Sequence, residues 1–251
     1  MSLPGACAVP QARSHRPDEE GAMRKRVRRI VACADVAGDV DRLERLLDRV
    51  ADDGTEAVAL VGNLAGGPGG PRRLKEVLQV LGESGVPAYL VPGPDDAPIS
   101  EWLREAWNME IVFPNLHGVH GAFAFAPGWI AFAGLGGLVE DDRDRPRDEQ
   151  ERLVYPGWEA EYRLKPLANL KDYPKVFLFA TPPVHKGRQA PGSQTIAELI
   201  KTHNPRVAVV AGDEPYDERL GPTLVVSPGA LAEGRYATVA LDEGEARFDT
   251  L

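Results

Sequence analysis

The chain has 251 residues, 43% of them hydrophobic, and a formal net charge of −9 at pH 7. That content supports a full core, in one large domain or two small ones, and the acidic balance disfavours nonspecific nucleic-acid binding. No apolar run approaches the length of a bilayer span, which excludes a transmembrane helix.

Met1 to about Ala22 has the composition of a disordered tail, so the domain boundary is placed near residue 25, with 1–25 as tail and 26–251 as one folded domain. The tail lacks the basic-then-apolar pattern of a secretion signal. Of two cysteines, Cys7 lies in the tail and Cys33 in an apolar run, which fits a reducing, cytoplasmic location better than a disulfide. The basic run Arg24–Arg29 leads into that apolar run and reads as the solvated approach to a strand.

The segment Arg29–Asp39, RIVACADVAGD, organises the rest of the chain. Ile30 to Ala34 suits a strand buried on both faces. It stops at Asp35, turns at Gly38, and Asp39 can cap a helix starting near 39–41. Leu43, Leu46, Leu47 and Val50 then form one helical stripe. A second strand is expected at Ala57–Val61, a Gly/Pro-rich loop from Gly62 to Pro71, a helix carrying Leu74, Val77, Leu78 and Leu81, and a third strand at Ala88–Val91. This βαβαβ order implies parallel strands with right-handed crossovers.

The pattern then mixes. A short helix is expected around Trp102, Leu103 and Trp107, and strands at Leu116–His120, Ala122–Phe125 and Trp129–Gly134. Glu140–Glu151 is dense in charge and reads as an exposed excursion. Glu159–Asp172 reads as helix, Lys175–Ala180 as strand, Thr195–His203 as helix and Val207–Ala211 as strand. Leu224–Ser227, Tyr236–Leu241 and Ala246–Phe248 close the chain in β. Two packed sheets flanked by helices account for this order better than one sheet does.

The strands end in Asp35, Gly62–Asn63, Gly93–Pro94–Asp95–Asp96, Ala180–Thr181–Pro182 and Gly212–Asp213–Glu214. In open α/β sheets such ends carry the chemistry. Their order and glycines resemble the calcineurin-like metallophosphoesterases, in particular the small bacterial phosphodiesterase branch, from about Val27 to Leu241. The resemblance implies a four-layer αββα sandwich of two mixed sheets flanked by helices. It also implies two metal ions about 3.5–4 Å apart that clamp a phosphoryl oxygen and generate hydroxide.

The family holds those metals with Asp-x-His, Gly-Asp, Gly-Asn-His, a lone His and Gly-His-x-His. Here Asp-x-His falls on Asp35–Val36–Ala37, and Gly-Asp on Gly62–Asn63, where the bridging carboxylate has become an amide. Gly-Asn-His falls on Gly93–Pro94–Asp95, the lone His on Ala180 before Thr181–Pro182–Pro183, and Gly-His-x-His on Gly212–Asp213–Glu214–Pro215. Ser227–Pro228–Gly229 resembles the family's Asn-Pro-Gly turn. Asp35 is thus the one ordinary ligand still at its position. Alanine and proline side chains coordinate nothing, so no binuclear manganese, iron or zinc centre is expected.

Of the five histidines, His15 is in the tail, and His117 and His120 face opposite ways along a β segment. His203 sits where a helix dipole favours its charged form. His185, after the Thr-Pro-Pro loop, is the one placed near the old site. The remaining candidate ligand-binding groups are therefore Asp35, Asn63, Asp95, Asp96, Asp213 and His185, with Asp39 and Glu214 nearby. Two carboxylates about 5 Å apart repel by roughly 3 kcal/mol at an effective dielectric near 20. Such a cluster needs a proton, a basic side chain, or one Mg²⁺ or Ca²⁺ on Asp35, Asp95 and Asp213. The plainer alternative is that these aspartates cap helices and turns and point apart. Ala65–Pro71 can offer backbone N–H groups to an anion, although a plain loop is the simpler reading.

Two functions are compatible with these residues. One is a non-catalytic phosphoesterase-fold protein that binds a small molecule or protein partner and regulates. The other is an enzyme, either a weak phosphoesterase or phosphodiesterase with a remodelled, single-metal site or a hydrolase of another kind.

Overall fold

The structure, a computed structural model, describes residues 26–66, 70–142, 144–184 and 192–251. The tail, Cys7, His15 and His185 lie outside the described residues. The first half alternates strictly: β1 (Arg29–Ala34), α1 (Val40–Asp52), β2 (Ala57–Val61), α2 (Gly70–Glu83), β3 (Ala88–Leu90), α3 (Ile99–Val112) and β4 (Leu116–Gly118). β5 (Phe123–Ala126), β6 (Ile130–Leu135), β7 (Leu138–Glu140), β8 (Val154–Pro156), α4 (Gly157–Leu164), β9 (Lys175–Phe179), α5 (Gln194–His203) and β10 (Val207–Val210) come next. The chain closes with β11 (Tyr216–Leu220), β12 (Thr223–Ser227), β13 (Arg235–Ala240) and β14 (Glu245–Thr250).

Two six-stranded sheets form, ordered β14-β13-β1-β2-β3-β4 and β11-β12-β10-β9-β6-β5. β1 to β4 are parallel, as are β12, β10, β9 and β6, and antiparallel strands complete each sheet. This is the four-layer αββα architecture. Strand alternation decides which sides meet. Ile30, Ala32, Ala59, Val61 and Tyr89 share one buried cluster with Phe132, Val176, Leu178 and Val209 of the other sheet. Their neighbours Val31, Cys33, Val58 and Leu60 pack outward with the helical stripe Leu43, Leu46, Leu74 and Val77. Tyr89 joins the sheets directly, its ring stacked 3.8 Å from that of Phe132.

Asp39 caps α1 as expected, its side chain accepting the Arg42 N–H at 3.0 Å. Several elements depart from expectation, among them β7 and β8, a parallel pair flanking the charged excursion where no strand is expected. The helix around Trp102 runs for 14 residues, because Ile99, Ala106 and Met109 extend the buried stripe. The stretch Glu159–Asp172 is α-helical only to Leu164 and continues as a 3-10 turn, Lys165–Asn169, with Pro166 near its start. β11, YDERL, is an edge strand whose Asp217 and Arg219 face solvent, so no apolar run marks it.

Candidate functional site

The parallel strands of both sheets end on one side of the molecule, and backbone bonds stitch their ends together. Ala37 and Gly38 donate to the carbonyls of Asn63 and Leu64 at 2.9 and 2.8 Å. Gly137 donates to Pro92 at 2.9 Å, and Ala34 to Gly229 at 3.3 Å, so loops of the two sheets interlock. The turn after β1 holds two non-glycine residues in the left-handed region, Asp35 (φ 45°) and Ala37 (φ 52°). Such conformations cost energy and persist where surrounding structure fixes them.

Asp35, Asn63 and Asp95 come together here. Asp35 Oδ1 accepts the Asn63 N–H at 2.8 Å. The Asn63 side chain is used at both ends: Nδ2 donates to Asp95 Oδ2 at 3.2 Å, and Oδ1 accepts the Asp95 N–H at 2.8 Å. The glycines allow this closeness. A Cβ on Gly93 would lie 2.2 Å from the Asn63 nitrogen, and one on Gly62 2.5 Å from Asp35 Oδ1.

Burial drives the Asp35 carboxyl above the ordinary carboxylate range. The Asn63 N–H opposes that rise, and the charges of Asp96, Asp213 and Asp95 add to it. The charges of Asp96, Asp213 and Asp95 thus reach the Asp35 carboxyl. These aspartates do not form a metal cradle: among the described residues, no group of three or more His, Cys, Asp or Glu side chains is placed to hold a metal ion.

Asp96 has a different role from the one expected of a ligand anchor. It is turned inward, 8% exposed. Its oxygens accept four backbone N–H groups, from Leu64, Ala65, Gly66 and Gly93, at 2.8, 2.9, 3.0 and 2.9 Å. The start of the Gly/Pro-rich loop is thus an anion nest, and the anion it holds is the chain's own carboxylate. Burial still pushes this carboxyl upward against the pull of the four donors. Sequence spacing treated Asp95 and Asp96 alike. The signal that separates them is turn chemistry, in which an Asx side chain collects nearby N–H groups.

Asp39 and Glu214 also lie outside the polar centre. Asp39 is engaged with Arg42, and the Glu214 side chain is 82% exposed, 3.8 Å from Arg235. Arg152, just past the charged excursion and unmarked in the sequence, approaches Asp95 at 3.6 Å. His120 is buried, with Nδ1 accepting the Gly136 N–H at 3.0 Å and Nε2 3.2 Å from the Tyr155 hydroxyl. Burial and the nearby Arg163 hold its imidazole neutral, down to about 3. It props the loop after β6 and is no metal ligand. His203 does lie in the last turn of α5. It packs edge-on to Phe177, and burial and Lys175 lower its pKa, so the dipole does not hold it charged.

Comparison with known proteins places these observations. A family profile for metallophosphoesterases of the calcineurin superfamily matches residues 23–72 and 70–251. TT1561 of Thermus thermophilus is 44% identical over 89% of this chain and 99% of its own, with a TM-score of 0.85. An archaeal phosphodiesterase shares the fold at 10% identity and a TM-score of 0.52, covering 89% of this chain and 99% of its own. The NAD nucleotidase NadN of Haemophilus influenzae does so at 12% identity and a TM-score of 0.50, covering 88% of this chain and 54% of its own. No curated protein matches the chain.

Proposed function

The chain belongs to the metallophosphoesterases of the calcineurin superfamily, and from that premise we propose that it is a binding, regulatory member of the family and not a hydrolase. The observation that carries this reading is the doubly bonded side chain of Asn63. Its position corresponds to the family's metal-bridging carboxylate. A neutral amide whose oxygen and nitrogen are both engaged with Asp95 supplies no charged oxygen for two metals to share. Ala37, Pro94 and Ala180 stand at further ligand positions, and Asp95 at that of the catalytic histidine. These residues do not fit a binuclear centre.

Asp35, Asp95 and Asp213 remain as acidic groups at the strand ends. Without metals they repel a free phosphate, and they suit a cationic or neutral group, such as a basic side chain of a protein partner.

The test is elemental analysis of protein purified without chelator, with hydrolysis of bis-p-nitrophenyl phosphate measured on the same sample. The expected result is background turnover with added Mn²⁺ and no pair of transition metals per chain. Metal-dependent turnover that disappears in Asp35→Ala would overturn the proposal in favour of a remodelled phosphodiesterase.

A further inference from the structure

At the opposite end of the second sheet, where strands begin, lies a second concave site. β9 starts at Lys175 and β10 at Val207. The segments leading into them, 167–174 and 202–206, wall a groove of about 730 Å³, a size that suits a small molecule. Leu167, Ala168, Tyr173 and Pro174 give it an apolar side. Lys171, Lys175, His203 and Arg206 give it a basic side, with Asp172 as the lining acid.

Lys175 is the unusual member. It is 4% exposed, yet it lines the groove. Its Nζ donates to the Tyr173 carbonyl at 3.0 Å, which uses one of three protons. Among the described residues no carboxylate lies in ion-pair contact with it. Burial lowers the affinity of this ammonium for its proton, and Asp172 offsets that only in part. The same charge disfavours protonation of His203. A buried cation that lacks an ion-pair partner is costly, and an anion in the groove would relieve it.

The rim adds a further basic group, Arg206. Arg206 bonds Asp242 at 2.6 Å, and the same carboxylate also faces Arg26 at 2.9 Å and Arg28 at 3.9 Å. Asp242 thus gathers these guanidiniums beside the groove.

We propose that this groove binds a small organic anion, its phosphate or carboxylate head set against Lys175 with Lys171 and Arg206 at the rim, and its flat apolar body laid on Tyr173 and Pro174. The site is separate from the strand-end aspartates and does not depend on what they do.

The experiment is a titration of the ¹⁵N-labelled full chain, followed by amide shifts, with phenyl phosphate, benzoate, inorganic phosphate and neutral benzyl alcohol. Phenyl phosphate or benzoate should give saturable shifts at Tyr173, Lys175, His203 and Asn204, and whichever binds more tightly identifies the head group. Inorganic phosphate should bind more weakly, and benzyl alcohol should give no saturable shift. Lys175→Met should weaken binding about tenfold or more, as loss of a charge-assisted contact predicts. Lys171→Ala, at an exposed position where folding is not at stake, should weaken it by a smaller factor, and added salt should weaken it further. Absence of saturable shifts with both organic anions at millimolar concentration would overturn the proposal. So would equal binding of benzyl alcohol, unchanged affinity in both variants, or shifts confined to residues 35, 63 and 95.

Discussion

Asp96 and Asp35 are both carboxyls that burial pushes upward, and they differ in how many backbone donors they meet. Asp96 neutralises four backbone donors, and Asp96→Ala would leave them without a protein acceptor. Each unpaired donor costs about 1–3 kcal/mol. Water reaching part of the gap reduces the sum, so a loss of at least about 3 kcal/mol in urea unfolding is expected. A loss under about 1 kcal/mol would show that Asp96 does not organise the loop. Asp35 accepts the Asn63 N–H and carries the cost of its burial with less compensation. Its folded-state pKa is raised, so ionisation opposes folding. That penalty is complete above the folded pKa, is relieved as pH falls through it, and vanishes below the unfolded value of about 3.9. Asp35→Asn keeps an acceptor for the Asn63 N–H and removes the charge. It should stabilise the fold by on the order of 1 kcal/mol at pH 7, with the gain shrinking as pH falls towards 4 in parallel denaturation curves. A destabilised variant at pH 7 would show that the carboxylate is compensated in a way these neighbours do not explain.

At the scale of elements, sequence was readable where burial was uniform and opaque where contacts were long-range. β1 and β2 announce themselves because almost every residue is apolar and buried. β11 gives no such sign, since Leu220 alone of its five residues is buried. The inward turn of Asp96 depends on three donors some thirty residues away, and no local pattern contains that distance. The same holds for Asp141, inside what reads as a solvated excursion. Its side chain accepts from Ser193 Oγ at 2.6 Å and from the N–H groups of Gln194 and Thr195 at 2.7 and 3.0 Å. It thereby tethers the excursion to the N-terminus of α5. Burial works against ionisation of Asp141, but the donors from Ser193, Thr195 and Gln194 prevail and hold its carboxyl below the ordinary range. Asp141→Ala should therefore cost about 1–2 kcal/mol at neutral pH, the worth of a helix cap. Because the folded pKa is depressed, this contribution is present above the unfolded value and is lost as pH falls through the folded one. Unfolding measured at pH 7 and again near pH 3 should show the difference between wild type and variant narrowing. A constant difference would assign the effect to lost packing instead of charge.

For the molecule as a whole, what matters is that neither sheet owns the layer between them. Phe132 of β6 is fully buried, and its ring is stacked on Tyr89 of β3 in the other sheet, nearly parallel at 11°. Around this pair the inner faces mix small side chains, among them Ala32, Ala57, Ala59 and Ala237, with Ile30, Val61, Val176, Leu178 and Val209. Each sheet alone would expose its inner face to water, and the helices cover only the outer faces. The two halves should therefore stand or fall together. Phe132→Ala leaves a cavity that small neighbours cannot fill by repacking and should cost about 3–5 kcal/mol. The decisive reading is where that loss appears. In native-state hydrogen exchange the amides of Val58 and Leu60 in β2 should lose protection by the same factor as those of Leu178 in β9 and Val209 in β10, although Phe132 is covalently part of the second sheet. Protection lost in β9 and β10 alone, with β2 unchanged, would mean that the sheets open separately and that residues 26–251 are two folding units instead of one.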